Sequence, residues 1–253
     1  MLARSVDLSL VRSSRNILLR RMSPADQAML EPHFEEMPCD RGTAVIRRDQ
    51  PLDALYFPDT ALVSLEEQVG HEGNVEIAVV GREGLLGWPA LLGCERAPHD
   101  AVVQMRPGTV LRIGVAPLQA ACDRSPTLWL ALLRFVHIVI LQMARSIASH
   151  LQDSLDQRLA RWLLMRHDRV GGDHLLVHHE EVADSLNVRR ASVTDQLHVL
   201  EGDRLIRCNR GRILIRDRAG LESFAGDSYG ITEAQYRTLI APFGKSATPA
   251  LVS

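Results

Sequence analysis

Apolar positions along the chain follow one period in its first half and another in its second. Between residues 40 and 115 short apolar runs recur: AVI (44–46), ALYF (54–57), ALVSL (61–65), VEIAVV (75–80), AVVQM (101–105) and TVLRI (109–113). DRG, FPD, GHEGN, GREG and RPG separate them. Many short strands punctuated by Gly, Pro and Asp predict an antiparallel roll or sandwich. Ahead of it, SPADQAMLEPHF (23–34) offers Ser23 as an N-cap and Pro24 at the first helical position, so a helix precedes the roll.

From Leu130 the spacing changes to 3-4-3-4: Leu130, Leu133, His137, Ile140, Ala144, Ile147 and Leu151 fall on one line of a helix for three heptads. That is the pattern of a helix packed on a like helix, and it predicts a dimer seam. Leu128, Leu132, Phe135 and Val139 form a second stripe on another side, able to cover the roll. A long helix buried in its own domain is the alternative reading of the same pattern.

A fresh amphipathic helix is expected over 154–166, with Leu155, Leu159, Trp162 and Leu163 inward, and Gly171-Gly172 ends it. HLLVHHEEVADSL then holds a short strand and a short helix, and Asn187 stands where a tight turn needs positive φ. In LNVRRASVTDQLHVLEGDRLIR, Val193, Leu197 and Leu200 mark one buried helix face. Leu205-Ile206 and Ile213-Leu214-Ile215 flank an Asn209-Arg210-Gly211 turn and read as a hairpin. Two helices joined by a tight turn and followed by a hairpin make a winged helix-turn-helix. Its second helix is shaped for a DNA major groove.

The net charge of −2 does not advertise a nucleic-acid binder, but charge is distributed unevenly. From Arg189 to Arg218 eight arginines face four acids, a local excess that steers toward phosphate. With 253 residues the chain is long enough for two domains. Cys39, Cys94, Cys122 and Cys208 form no C-x-x-C pair, which argues against a zinc ribbon or an iron–sulfur cluster. Leu128 to Leu141, the longest apolar run, is broken by Arg134 and His137, and the charged N-terminus lacks the apolar core of a secretory signal. A cytoplasmic protein without a membrane partner is expected. No nucleophile elbow, P-loop, H-E-x-x-H or paired catalytic carboxylates occur, so no enzyme is expected.

Taken together, the residues resemble the Crp/Fnr family, the cyclic-AMP receptor protein and its relatives. The resemblance covers most of residues 17 to 225 and is strongest in EEVADSLNVRRASVTDQLHVLEGDRLIR, which aligns without gaps on the family's DNA-reading unit. VVGREGLLG and DAVVQM fall in the place of the family's phosphate-binding cassette. The resemblance implies an α+β fold: an antiparallel β-roll of the cyclic-nucleotide-binding type, a long dimerisation helix and a C-terminal winged helix-turn-helix. It divides the chain into a loosely held N-terminus (1–16), the roll (17–126), the dimerisation helix (127–152), the winged domain (153–225) and a tail (226–253) to which no role is assigned. It implies a homodimeric transcription regulator whose partners are double-stranded DNA, a second copy of the chain and, for an activator, RNA polymerase.

Where the family's recognition helix usually opens Ser-Arg-Glu-Thr-Val, this chain reads Arg189, Arg190, Ala191, Ser192 and Val193, and Asp195 stands where a further arginine is usual. Base-reading candidates are Arg190, Ala191, Thr194 and Asp195. An arginine can donate two bonds to guanine, alanine can touch a thymine methyl and aspartate can accept from cytosine. Arg189, Ser192, His198, Arg210 and Arg212 are the candidates for phosphate. The family's usual operator is therefore not assumed. A signalling adaptor with a degenerate DNA module is the alternative that Ala191 and Asp195 motivate.

Members that bind cyclic AMP hold its ribose with Gly-Glu and its phosphate with Arg-Ser. Here those places read Gly81-Arg82, with Glu83 one residue late, and His99-Asp100. Asp100 would repel a phosphate. Arg82, Glu83, His99 and Asp100 are the candidates for an effector pocket, but cyclic AMP, haem and an iron–sulfur cluster are not expected, nor a metal at His174, His178 and His179.

Overall fold

The computed structural model describes residues 9–69 and 73–245. Three short helices open it, α1 (Leu10–Ser13), α2 (Ile17–Arg21) and α3 (Pro24–Leu30). Strands β1 (Phe34–Cys39), β2 (Ala44–Ile46), β3 (Ala54–Pro58), β4 (Leu62–Val69), β5 (Gly73–Val80), β6 (Asp100–Gln104) and β7 (Gly108–Gly114) follow. Helices α4 (Val115–Arg124) and α5 (Pro126–Gln152) lead to α6 (Leu155–His167), β8 (His174–Leu175), α7 (His179–Leu186) and α8 (Arg190–Gly202). Strands β9 (Ile206–Asn209) and β10 (Arg212–Ile215) and helices α9 (Arg218–Ala225) and α10 (Ile231–Leu239) are the last elements among the described residues.

The first seven strands form a roll of two antiparallel sheets, ordered β1-β7-β3 and β2-β6-β4-β5. Six of them coincide with the expected apolar runs, while part of the GHEGN turn lies outside the described residues. Strand β1 was not foreseen, because Phe-Glu-Glu-Met-Pro-Cys has no period of two. It forms because β7 offers a template, pairing from Phe34↔Ile113 to Cys39↔Gly108.

The expectation of a loosely held N-terminus needs correction over its second half; residues 1–8 lie outside the described residues. Val11 is fully buried, the Leu10 and Val11 N–H groups donate to the Glu31 carboxylate at 2.5 and 3.1 Å, and Ser14 donates to Asp59 at 2.7 Å. Buried Asn16 caps α2 through its Oδ1 and donates to the carbonyls of Pro58 and Gly84. Charge alternation along the sequence conceals these ties, because the partners are remote acids and carbonyls.

Helix α5 shows two faces. Leu128, Leu132, Phe135 and Val139 are buried against the roll. On the other side Leu130 is 48% exposed, Ile140 50%, Ile147 64% and Leu151 80%, with His137 and Ala144 on the same line and Leu133 half-buried. By length and composition the helix could cross a bilayer, but its first face is spent on the roll and Gln142, Ser146 and Ser149 are buried beside it. The approach of α5 is close: a Cβ on Gly84 would fall inside the Phe135 ring. Two turns further on, the Gln142 side chain accepts the Val79 N–H at 2.7 Å and donates to the Val79 carbonyl at 3.3 Å, closing part of the free edge of β5.

The winged half has its own core, into which the roll contributes Leu62, Val79 and Met105. Helix α6 and the turn after it join the halves through a series of arginines. Arg158 stays within the winged half, donating to the Leu186 carbonyl of α7, whereas Arg161 donates to the Ser228 carbonyl and reaches Ser146 Oγ of α5. Arg166, stacked on Trp162, pairs with Glu76 of β5 at 2.5 Å. Arg169 pairs with Glu83 at 2.7 Å and donates to the Met165 carbonyl, with the two side chains of that pair 3% and 2% exposed. The tail, to which sequence assigned no role, closes over this junction. Tyr236 of α10 is buried and its hydroxyl donates to the Glu83 carbonyl at 2.6 Å, and Ala241 and Phe243 enter the core of the roll.

Removing one partner of a buried ion pair strands the other charge at a cost of about 3–5 kcal/mol. Arg169→Met is therefore expected to lower the urea-unfolding free energy by about that amount, and Glu83→Gln added to it should recover much of the loss.

Candidate nucleic-acid interface

Helices α7 and α8 are set by local chemistry. The His178 N–H donates to Glu181 Oε2 at 2.7 Å, so the third residue of α7 caps its start. The helix stops at Asn187, whose φ of 51° places it in the left-handed region while Asn187 and Val188 donate to the carbonyls of Asp184 and Ala183. Val193, Leu197 and Leu200 of α8 are fully buried, so Ala191, Asp195 and His198 lie on the outer line, all exposed. Arg189 and Arg190 at the helix start are exposed, and Ser192 and Thr194 are half-buried.

The hairpin follows directly. Strands β9 and β10 pair with Arg212 opposite Asn209, leaving Arg210-Gly211 as the turn. Gly211 has φ of 71°, which an L side chain rarely adopts. Strand β8 pairs on the far side of β10, and the Cys208 N–H donates to Glu201 at 2.9 Å, tying the wing to the end of α8. Arg189, Arg190, Arg207, Arg210 and Arg212 stand at the surface around this unit. Arg218, counted in sequence with this basic patch, turns inward to Asp168 and Glu222.

The base-reading candidates thus share one face of α8, with the phosphate candidates around it and on the wing. Sequence reasoning did not include His178 and His179. The structure places both beside this face: His179 Nδ1 lies 3.0 Å from Thr194 Oγ1, and His178 abuts the wing turn at Gly211. The His-His pair directly before the first helix was the available signal, weighed only as a metal site. No group of three or more His, Cys, Asp or Glu suited to a metal occurs among the described residues.

Each of the four effector-pocket candidates has neighbours of its own within the protein. Glu83 is engaged by Arg169 and by the Gly81 N–H, so its carboxylate belongs to the domain junction. The Arg82 carbonyl accepts the Ile17 N–H on the side of the N-terminal helices. Asp100 accepts the Arg48 N–H at 2.8 Å. His99 is buried with its ring 6.4 Å from that of Trp88, and burial pushes its imidazole below the ordinary value although Asp100 opposes this. A cleft of about 710 Å³ lies between the β4–β6 face of the roll and α7, with Arg41, Glu66, Glu76, Glu181 and Asp184 among its lining.

Residues 157–224 match the Crp-like helix-turn-helix domain. No curated protein matches the chain. Among solved structures, a CRP-family transcriptional regulator from Thermus thermophilus is 23% identical, with 76% of this chain and 97% of that one covered at a TM-score of 0.64. FixK2 from Bradyrhizobium japonicum is 15% identical, with 76% and 98% covered at 0.65. The c-di-GMP responsive global regulator CLP from Xanthomonas campestris is 16% identical, with 76% and 99% covered at 0.63. The fold is that of these regulators: an antiparallel sheet domain, a long helix and a helix-turn-helix domain.

A left-handed residue other than Gly or Asn costs about 1–2 kcal/mol. Asn187→Ala should therefore lower the thermal midpoint, whereas Asn187→Gly should leave it nearly unchanged; circular dichroism melts check both.

Proposed function

We propose that this chain, with a Crp-like helix-turn-helix domain set in the Crp/Fnr regulator fold, is a homodimeric transcription regulator that reads a pseudo-palindromic DNA site. The observation that carries the reading is that two surfaces stand free together: the arginine-edged face of α8 and the apolar stripe of α5. Two α5 helices joined along Leu130, Leu133, His137, Ile140, Ala144, Ile147 and Leu151 would bury that stripe. They would also present two copies of α8 to successive major grooves, about 34–36 Å apart.

In this reading Arg190 donates to a guanine edge, Ala191, Thr194 and Asp195 select among the remaining bases, and Arg189, Ser192, His198, Arg210 and Arg212 hold phosphates in register. The partner is double-stranded DNA in the cytoplasm, with RNA polymerase engaged where the bound regulator activates. The engagement of Glu83 and Asp100 within the protein supports a roll that works without cyclic AMP. An effector acting on the roll would shift the balance of winged-domain positions about the break at Asp153-Ser154, between α5 and α6.

Selection of bound fragments from random duplexes should enrich an inverted repeat. Arg190→Ala should erase the preference at one base pair of each half-site, about 1–3 kcal/mol of discrimination. Binding without an enriched sequence would instead favour the adaptor reading that Ala191 and Asp195 motivate. Ile140→Glu together with Ile147→Glu should convert the dimer to monomer in sedimentation equilibrium while leaving the fold intact.

A further inference from the structure

A cleft of about 500 Å³ opens between the wing turn and the starts of α7 and α8, lined among others by His178, His179, Glu180, Arg190, Arg210 and Gly211. We infer that this cleft seats a DNA backbone phosphate and that its occupation is coupled to protonation of His178 and His179, so that DNA binding takes up protons. The inference rests on the DNA-binding reading and deepens it.

Geometry assigns the proton positions. Thr194 Oγ1 donates to the Arg190 carbonyl at 3.1 Å, so the His179 nitrogen that faces the same hydroxyl, Nδ1 at 3.0 Å, must be the donor to it. Neutral His179 therefore carries its hydrogen on Nδ1, and a proton from solvent adds at Nε2 without breaking the bond to Thr194. The adjoining His178 ring is held against the wing turn, its Cε1 3.3 Å from where a Cβ on Gly211 would stand.

The charges facing the two rings come from three elements. Helix α7 supplies Glu180, while its Glu181 is engaged by Arg41 of the roll. Helix α8 supplies Arg190 and His198, and the wing supplies Arg210. The Cys208 thiol stays neutral, pushed up to about 11 by burial and then by Glu201. Two arginines against one carboxylate make a weak anion seat, and two imidazolium ions strengthen it. Without an anion, burial and then Arg190, His198 and His178 hold the His179 imidazole below its ordinary value. A phosphate reverses the sign of the nearest field and favours the charged ring.

The linkage has a definite direction. A histidine whose pKa is higher in the complex than in the free protein adds affinity at low pH, and the added affinity is lost as pH rises through the value in the complex. Each unit of upward shift on one histidine contributes about tenfold in affinity.

The test measures dissociation constants at constant salt from pH 6 to 8 by fluorescence anisotropy. It uses the enriched duplex and an unrelated duplex of equal length, since phosphates are common to both. Wild type should bind about tenfold or more tightly at pH 6 than at pH 8. His178→Gln with His179→Asn, whose amide can still donate to Thr194, should flatten much of that slope. His174→Gln, outside the cleft, should keep the full slope. Histidine ring titrations by NMR on the wild-type protein should show the His178 and His179 values rising when duplex is added. A double variant with the wild-type slope, or ring titrations unchanged by duplex, would overturn the phosphate seat while leaving the regulator reading standing. A protein that binds neither duplex would overturn both.

Discussion

A carboxylate and a guanidinium buried together, Glu83 and Arg169, hold the two halves of this protein in one arrangement. Charges removed from water are tolerated only when they are paired and their remaining hydrogen-bonding capacity is met. Glu83 also accepts the Gly81 N–H, Arg169 also donates to the Met165 carbonyl, and Tyr236 closes over the Glu83 backbone. An apolar contact between roll and winged domain could slide. A hydrogen-bonded ion pair resists such sliding, and so in this arrangement the position of α6, and through it of α7 and α8, is held relative to the roll. Arg166 pairs with Glu76 one turn earlier in the chain, but there the Nε and Nη1 nitrogens are buried without a hydrogen-bond partner, so that pair is less fully satisfied.

Helix α5 turns this fixed arrangement into a proposal about reading DNA. One of its sides is committed to the roll and the other is free and apolar, so the helix can be at once an internal beam and an external contact. The same division accounts for a helix long and apolar enough to cross a membrane: hydrophobicity is present on both sides, one of them packed on the roll.

Much of this was legible in the sequence where the pattern is local. The 3-4 spacing in α5, the buried trio Val193, Leu197 and Leu200, the positive φ of Asn187 and the Gly211 turn all depend on near neighbours and were readable. What sequence could not supply was pairing at a distance. Strand β1 depends on β7, the N-terminal helices on Glu31 and Asp59, and α10 on Glu83. Glu83 itself was assigned to an effector pocket because its position beside Gly81 suggested a ligand contact. The arginine that occupies it lies 86 residues away. In the candidate site the arginines were evident, but His178 and His179 became part of it only once the wing folded back against α7.

The amide of Gln142 bears on assembly as well as on packing. It takes the place on β5 that the backbone of an added strand would need, and α5 lies alongside. At the opposite end of that sheet β2 has only three residues and an irregular register. Both borders of that sheet are thus blunted as templates for further strands, so pairing of two chains through it is disfavoured relative to closed, helix-mediated pairs.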